Sequence, residues 1–107
     1  MKTISEYLEE DCEKWADHPW IRTRGKEGWE DCTFREAADA VRSISKSLLK
    51  KGLHHKNLML CSENSREWIL LYLGIMGYVG TCVPVDPTWT EYDLAHTMSV
   101  IPVSAVF

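Results

Sequence analysis

The sequence predicts an α/β fold: a partial doubly wound parallel sheet with flanking helices, preceded by a helix and a short hairpin. Three observations lead there. From Asn57 onward, short runs alternate with helix-length segments in the order strand, helix, strand, helix, strand. Those runs are mostly apolar, as strands covered by helices on both faces must be. A threonine stands three residues ahead of an acidic residue at Thr3–Glu6, Thr33–Glu36 and Thr90–Asp93, and each pair marks a helix start.

The elements follow in order. Ile4, Tyr7, Leu8 and Trp15 recur at roughly helical intervals behind the first cap, predicting an amphipathic helix over Ile4 to about Ala16, ended by His18-Pro19. Trp20–Arg24 and Trp29–Cys32 flank Gly25-Lys26-Glu27-Gly28, the pattern of two antiparallel strands joined by a glycine-containing turn. Phe34, Ala37, Ala38, Val41, Ile44, Ser45, Leu48 and Leu49 form one face of a second helix that stops at Gly52. Asn57–Cys61 reads as a strand, and the turn Ser62-Glu63-Asn64 offers the Asn64 side chain as cap for a helix from Ser65 to about Val79. Thr81–Val85 is the next strand, Thr90 opens a helix through about Ser99, and Val103–Phe107 is a third strand whose far edge is expected to be apolar and unpaired. Gly74 and Gly77 are expected to let their helix approach the sheet closely, and Gly80 to supply a left-handed helix end.

Composition narrows the function. The 107 residues are 45% hydrophobic and 26% charged, in the range of one small globular domain. A formal charge of -4 argues against a nucleic-acid partner, which needs a clustered positive surface. The local exception is Lys50, Lys51, His54, His55 and Lys56, where the first two lysines fall in the last turn of a helix and complement its dipole. Cys12, Cys32, Cys61 and Cys82 are about twenty residues or more apart, with no C-x-x-C pair, and read as free thiols, with Cys61 and Cys82 in buried strands. Trp68–Val85 carries no charge over 18 positions, but Gly74, Gly77, Gly80 and Pro84 interrupt it, so a buried helix followed by a buried strand is expected rather than a transmembrane segment. The acidic N-terminus lacks the features of a secretory or transit peptide, which makes a cytoplasmic location the expectation.

Four segments resemble the adenylate-forming (AMP-binding) superfamily, which includes acyl-CoA synthetases, luciferases and the adenylation domains of peptide synthetases. Cys32-Thr33-Phe34-Arg35-Glu36-Ala37 is similar to the family's "LTYREL", and Leu48-Leu49-Lys50-Lys51-Gly52-Leu53 to "LLALGV". Ser62-Glu63-Asn64-Ser65-Arg66-Glu67-Trp68 is similar to "LPNSPEW", and Leu73 to Pro87 to "LGILKAGAVYVPLDP". Val103-Ser104-Ala105-Val106-Phe107 resembles the strand written "AKVVF". Two departures stand out: Gly77-Tyr78-Val79-Gly80 replaces the usual "KAG", and Trp89 replaces a smaller residue after Asp86-Pro87.

The resemblance implies that residues 1–107 are an incomplete N-terminal portion of an AMP-binding domain, the N-terminal part of the large domain of an adenylate-forming enzyme. A complete relative uses ATP, Mg2+ and coenzyme A to make an acyl-adenylate and then a thioester. Its phosphate loop, Tyr-Gly-x-Thr-Glu segment, adenosine-binding Asp and C-terminal lysine have no counterpart here, so no catalytic, cofactor-binding or metal residue and no cofactor is expected for this chain. Asp86 reads as a turn former, Trp68, Tyr72 and Trp89 as packing aromatics, and His96 as lacking a triad or metal partner. The expected partner is the remainder of the ligase domain, or another chain covering the sheet edge in a truncated interaction form. A fatty acyl-CoA synthetase is preferred over a peptide synthetase because no carrier-protein or condensation context is visible.

Overall fold

A computed structural model describes residues 1–107. The elements are α1 (Ile4–Trp15), β1 (Pro19–Gly25), β2 (Gly28–Thr33), α2 (Phe34–Lys50), β3 (Asn57–Cys61), α3 (Arg66–Tyr78), β4 (Thr81–Val85), α4 (Glu91–Val100) and β5 (Ala105–Val106). Complete capping boxes open α1 at Thr3, α2 at Thr33 and α4 at Thr90. In each, the threonine hydroxyl accepts an orphan N–H of the first turn while the acidic side chain accepts the N–H of the cap itself. At α3 the cap is Ser65, whose hydroxyl accepts the Trp68 N–H, and not Asn64. Serine and asparagine are near-equal caps, so the register of the turn decides between them.

Helix α2 ends in a full Schellman motif. The Leu53 N–H bonds the Leu48 carbonyl, the Gly52 N–H bonds the Leu49 carbonyl, and Gly52 takes φ +76°. Gly80 does something different from the expectation. It is not left-handed; a Cβ there would overlap the Lys56 carbonyl oxygen and lie 3.0 Å from the Lys56 nitrogen. Its missing side chain makes room for the backbone leading into β3, whose Lys56 carbonyl accepts the Thr81 N–H.

The strands form two sheets. β1 and β2 are an antiparallel hairpin, and β3, β4 and β5 are a parallel sheet in the order β4-β3-β5. β5 is shorter than expected, although backbone bonds from Ser104 to Asn57, from Phe107 to Met59 and from Cys61 to Phe107 continue the pairing beyond it. The path moves one way along the sheet from β3 to β4 and the opposite way from β4 to β5. Right-handed crossovers then put α3 and α4 on opposite faces, the doubly wound arrangement.

Two clusters make the core. Leu8, Cys32, Ala37, Val41, Leu70 and Leu73 join α1, β2, α2 and α3, while Leu48, Leu58, Ile75 and Val79 join the ends of α2 and α3 to the sheet. Ile44 packs against both. α3 reaches α2 and α1 through its glycines. A Cβ at Gly74 would lie 2.6 Å from Ile44 Cγ2, and one at Gly77 would overlap the Ser5 hydroxyl. These glycines therefore admit neighbouring helices, and not the sheet as expected. The buried Ser45 hydroxyl donates to the Gly74 carbonyl at 2.7 Å, so this close crossing leaves no polar group unpaired. Cys61 and Cys82 are half-buried rather than buried, because the sheet is only three strands wide and α4 buries none of its residues; Cys32 is the buried thiol.

Candidate functional site at the carboxyl ends of the strands

In an open parallel sheet the loops leaving the carboxyl ends of the strands face outward around a crevice, and ligands bind there. Here those loops are Ser62–Ser65 after β3 and Asp86–Thr90 after β4. Between them lies a cleft of about 380 Å³ lined by Ser62, Glu63, Asn64, Val85, Asp86 and Pro87. A second groove of about 480 Å³ runs past the start of α3 to β1, lined by residues that include Arg22, Ser65, Arg66 and Trp68. Asn64 lines both, joining the loop after the central strand to the hairpin.

Asp86, Arg22 and Arg66 are already engaged, while the Glu63 carboxylate at the cleft has no side-chain partner. Asp86 Oδ1 accepts the Thr88 N–H at 2.8 Å and the Thr88 hydroxyl at 2.7 Å, and the Asp86 carbonyl accepts the Trp89 N–H. These bonds, the hydroxyl's first, hold the Asp86 carboxyl below the usual carboxylate range. Asp86 is thus the former of the turn after β4. Arg22 grips Asp31 across the hairpin in a two-pronged pair, at 2.6 and 3.1 Å, and Arg66 bonds Glu67. The hydrogen bond from Arg22 is the main reason the Asp31 carboxyl lies below its ordinary range.

The remaining residues singled out from the sequence are scattered. Trp68 and Tyr72 stack with centroids 5.3 Å apart along α3, and Tyr72 packs against the first core cluster. His96 stacks on Tyr92 on the exposed face of α4, and no side chain hydrogen-bonds its ring. Cys32 is buried at the end of β2, and burial pushes its thiol pKa up, away from a nucleophilic thiolate. No three His, Cys, Asp or Glu side chains converge in metal-ligating geometry.

Comparison with known proteins decides what this scaffold belongs to. The family model described as "AMP-binding enzyme" matches residues 8–107. The chain belongs to the AMP-binding enzyme family. Within it, the chain is 30% identical over 87 residues to long-chain-fatty-acid–CoA ligase ACSBG2 of Rattus norvegicus, a match covering 80% of this chain and 13% of that protein. It is 32% identical over 99 residues to gramicidin S synthase 2 of Brevibacillus brevis, covering 90% of this chain and 2% of that one. The fold is that of the Klebsiella oxytoca NpsA N-terminal subdomain, solved in complex with 3-hydroxyanthranilyl-AMSN. The TM-score is 0.86 at 17% identity, over 99% of this chain and 26% of that one. The chain therefore spans about an eighth of the fatty-acid ligases that it matches.

AMP-binding enzymes handle a nucleotide phosphate, so the donor set of the cleft can be tested against one. Glu63 and Asp86 line it with no lysine or arginine, and Asp86 has its carboxylate turned into a loop hydrogen bond. A triphosphate needs amide or cationic donors in place of these acids. The side chains lining this cleft supply no cationic donor for the phosphates of ATP, and the two arginines in the adjoining groove are already paired with carboxylates. Asn64, at the junction of both grooves, is the residue whose position could not be read from the sequence, because it depends on β3 being the central strand.

Proposed function

We propose that this chain is the N-terminal portion of the large domain of an ATP-dependent acyl-CoA synthetase. The complete enzyme would join a carboxylic acid to AMP with loss of pyrophosphate and pass the acyl group to the thiol of coenzyme A. The observation that carries this reading is the 30% identity to a fatty-acid–CoA ligase across most of the chain. The similarity to gramicidin S synthase 2 supports the adenylate-forming step equally, and a peptide synthetase is the competing reading.

In this reading residues 1–107 supply framework and no chemistry. β3 and β4 hold the strand-end loops that form one wall of a nucleotide cleft, and the donors for ATP, Mg2+ and coenzyme A come from elsewhere. The chain alone is inactive. Its partner is the remainder of the ligase domain, laid against the open edges of the β4-β3-β5 sheet; a separate chain on the same edges is the alternative. Nucleic acid is not a partner of this acidic chain, and the protein works in the cytoplasm. No helix is long and apolar enough to cross a membrane.

The test has two parts. Antibody capture through Met1–Trp15 from the source, followed by intact-mass analysis, is expected to return a species several times 12.3 kDa. That species should catalyse fatty-acid-dependent exchange of pyrophosphate into ATP and form acyl-CoA, while the purified 107-residue chain should not. Exchange driven by amino acids alone would replace the acyl-CoA reading with the peptide-synthetase one. Exchange by the 107-residue chain would overturn its assignment as framework.

A further inference from the structure

The corner between α2 and β3 carries a surface that the ligase reading leaves unused. Lys46 and Lys50 lie one turn apart on α2, Lys51 is its C-cap, and Lys56 immediately precedes β3. Their four ammonium groups have no carboxylate within 4 Å, and all four residues are exposed, in a chain whose net charge is -4. Glu9, which lines the same groove as Lys46 and Leu49, is taken by Arg42 and by the Tyr78 hydroxyl.

Helix ends do not absorb this charge. α2 ends at Lys50 and α3 at Tyr78, and α3 has no basic residue of its own in its last turn. Two carboxyl-terminal helix ends amount to about one negative charge together, which leaves a surplus of about three. The surface is also partly apolar. Leu49, 39% exposed, and Tyr78, 43% exposed, line one groove with Lys46. His54 and His55 stack at 3.7 Å, with His55 held at φ +61° by its N–H bond to the Val79 carbonyl, so this loop has a fixed shape.

We propose that this corner is a docking surface for an anionic lipid bilayer. Four unpaired lysines reach the number at which a basic cluster binds acidic phospholipid headgroups, and Leu49 and Tyr78 give the interface aliphatic and aromatic contact that a nucleic-acid backbone would not use. The placement leaves the cleft free. Lys56 and Gly80 stand at the amino ends of β3 and β4, so docking here directs the carboxyl-end cleft away from the membrane. The proposal does not depend on the ligase reading, and its test needs no enzymatic activity.

The experiment is cosedimentation of the native protein captured through Met1–Trp15, beside the 107-residue chain, with vesicles of phosphatidylcholine alone or with 30% phosphatidylserine, at low and physiological salt. Binding is expected only to the phosphatidylserine vesicles, weakening as salt rises, with a loss of about fivefold per lysine removed. Lys50→Gln/Lys51→Gln/Lys56→Gln should lose about a hundredfold, and Lys26→Gln in the hairpin turn should bind like the parent. Circular dichroism of the variants confirms that these exposed changes leave the fold intact. Equal binding to neutral vesicles, an unaffected triple variant, or tighter binding to an oligonucleotide than to phosphatidylserine vesicles would each overturn the proposal.

Discussion

Gly80 and Gly77 lie in one segment and do opposite kinds of work. A side chain at Gly80 would run into the backbone of Lys56, which cannot rotate away, whereas one at Gly77 meets only the Ser5 side chain, overlapping its hydroxyl and touching its Cβ at 3.4 Å. Gly80→Ala should therefore cost about 2 kcal/mol or more, as overpacking against a rigid wall does, and no single side-chain change should rescue it. Gly77→Ala should be destabilising in the parent and close to neutral in a Ser5→Ala background, where the overlapping hydroxyl is gone and the preference of helices for alanine remains. Urea titration of the four variants checks both. At Asp86 a local signal was enough to read the residue correctly: Asp-Pro-Thr is turn chemistry whatever the fold, and its carboxylate is bound to Thr88. The partners of Gly74, Gly77 and Gly80 lie 24 or more residues away, so the residues that they face were out of reach of any local pattern.

Among the elements, α4 stands apart. It has a complete capping box, buries none of its residues, and exposes Tyr92, Met98 and Val100. Its helicity rests on local bonds, in contrast to α2 and α3, which bury residues of both core clusters. Amide hydrogen exchange should show α4 opening far more readily than α2, and Thr90→Ala, which removes a cap worth about 1 kcal/mol, should speed exchange in α4 while leaving α2 unchanged. Equal acceleration in α2 would show that α4 is coupled to the core after all. The same locality explains what the sequence reveals about elements. Threonine caps and the apolar run of β4 are self-contained, so Thr3, Thr33, Thr90 and Thr81–Val85 were each legible. The sequence predicts a strand over Val103–Phe107, but only Ala105 and Val106 pair in regular register with β3, with backbone bonds at Ser104 and Phe107 on either side. Of the candidate site, the turn at Asp86 could be read beforehand, but the cleft itself could not, since it exists only once β3 and β4 lie side by side.

At the scale of the whole molecule the core is thin. Only 17 of 107 residues are buried, and the radius of gyration is 15.3 Å, against about 13 Å for a compact chain of this length. Ile44 packs against both clusters and is the side chain through which the helical half and the sheet half share one interior. Ile44→Ala should cost about 2 kcal/mol or more, and fluorescence from the tryptophans of the helical half should then separate from circular dichroism in a denaturant titration. Coincident transitions in that variant would mean that the halves are joined by more than this contact. The strand order carries a consequence for biosynthesis. β3 is translated before both of its neighbours and lies between them, so each later strand leaving the ribosome meets a template that already exists. At bacterial or eukaryotic elongation rates of about 5 to 20 residues per second, β3 waits seconds for β4 and longer for β5. Until β4 arrives β3 offers two free edges, and until β5 arrives one, to whatever chaperone stands at the tunnel exit.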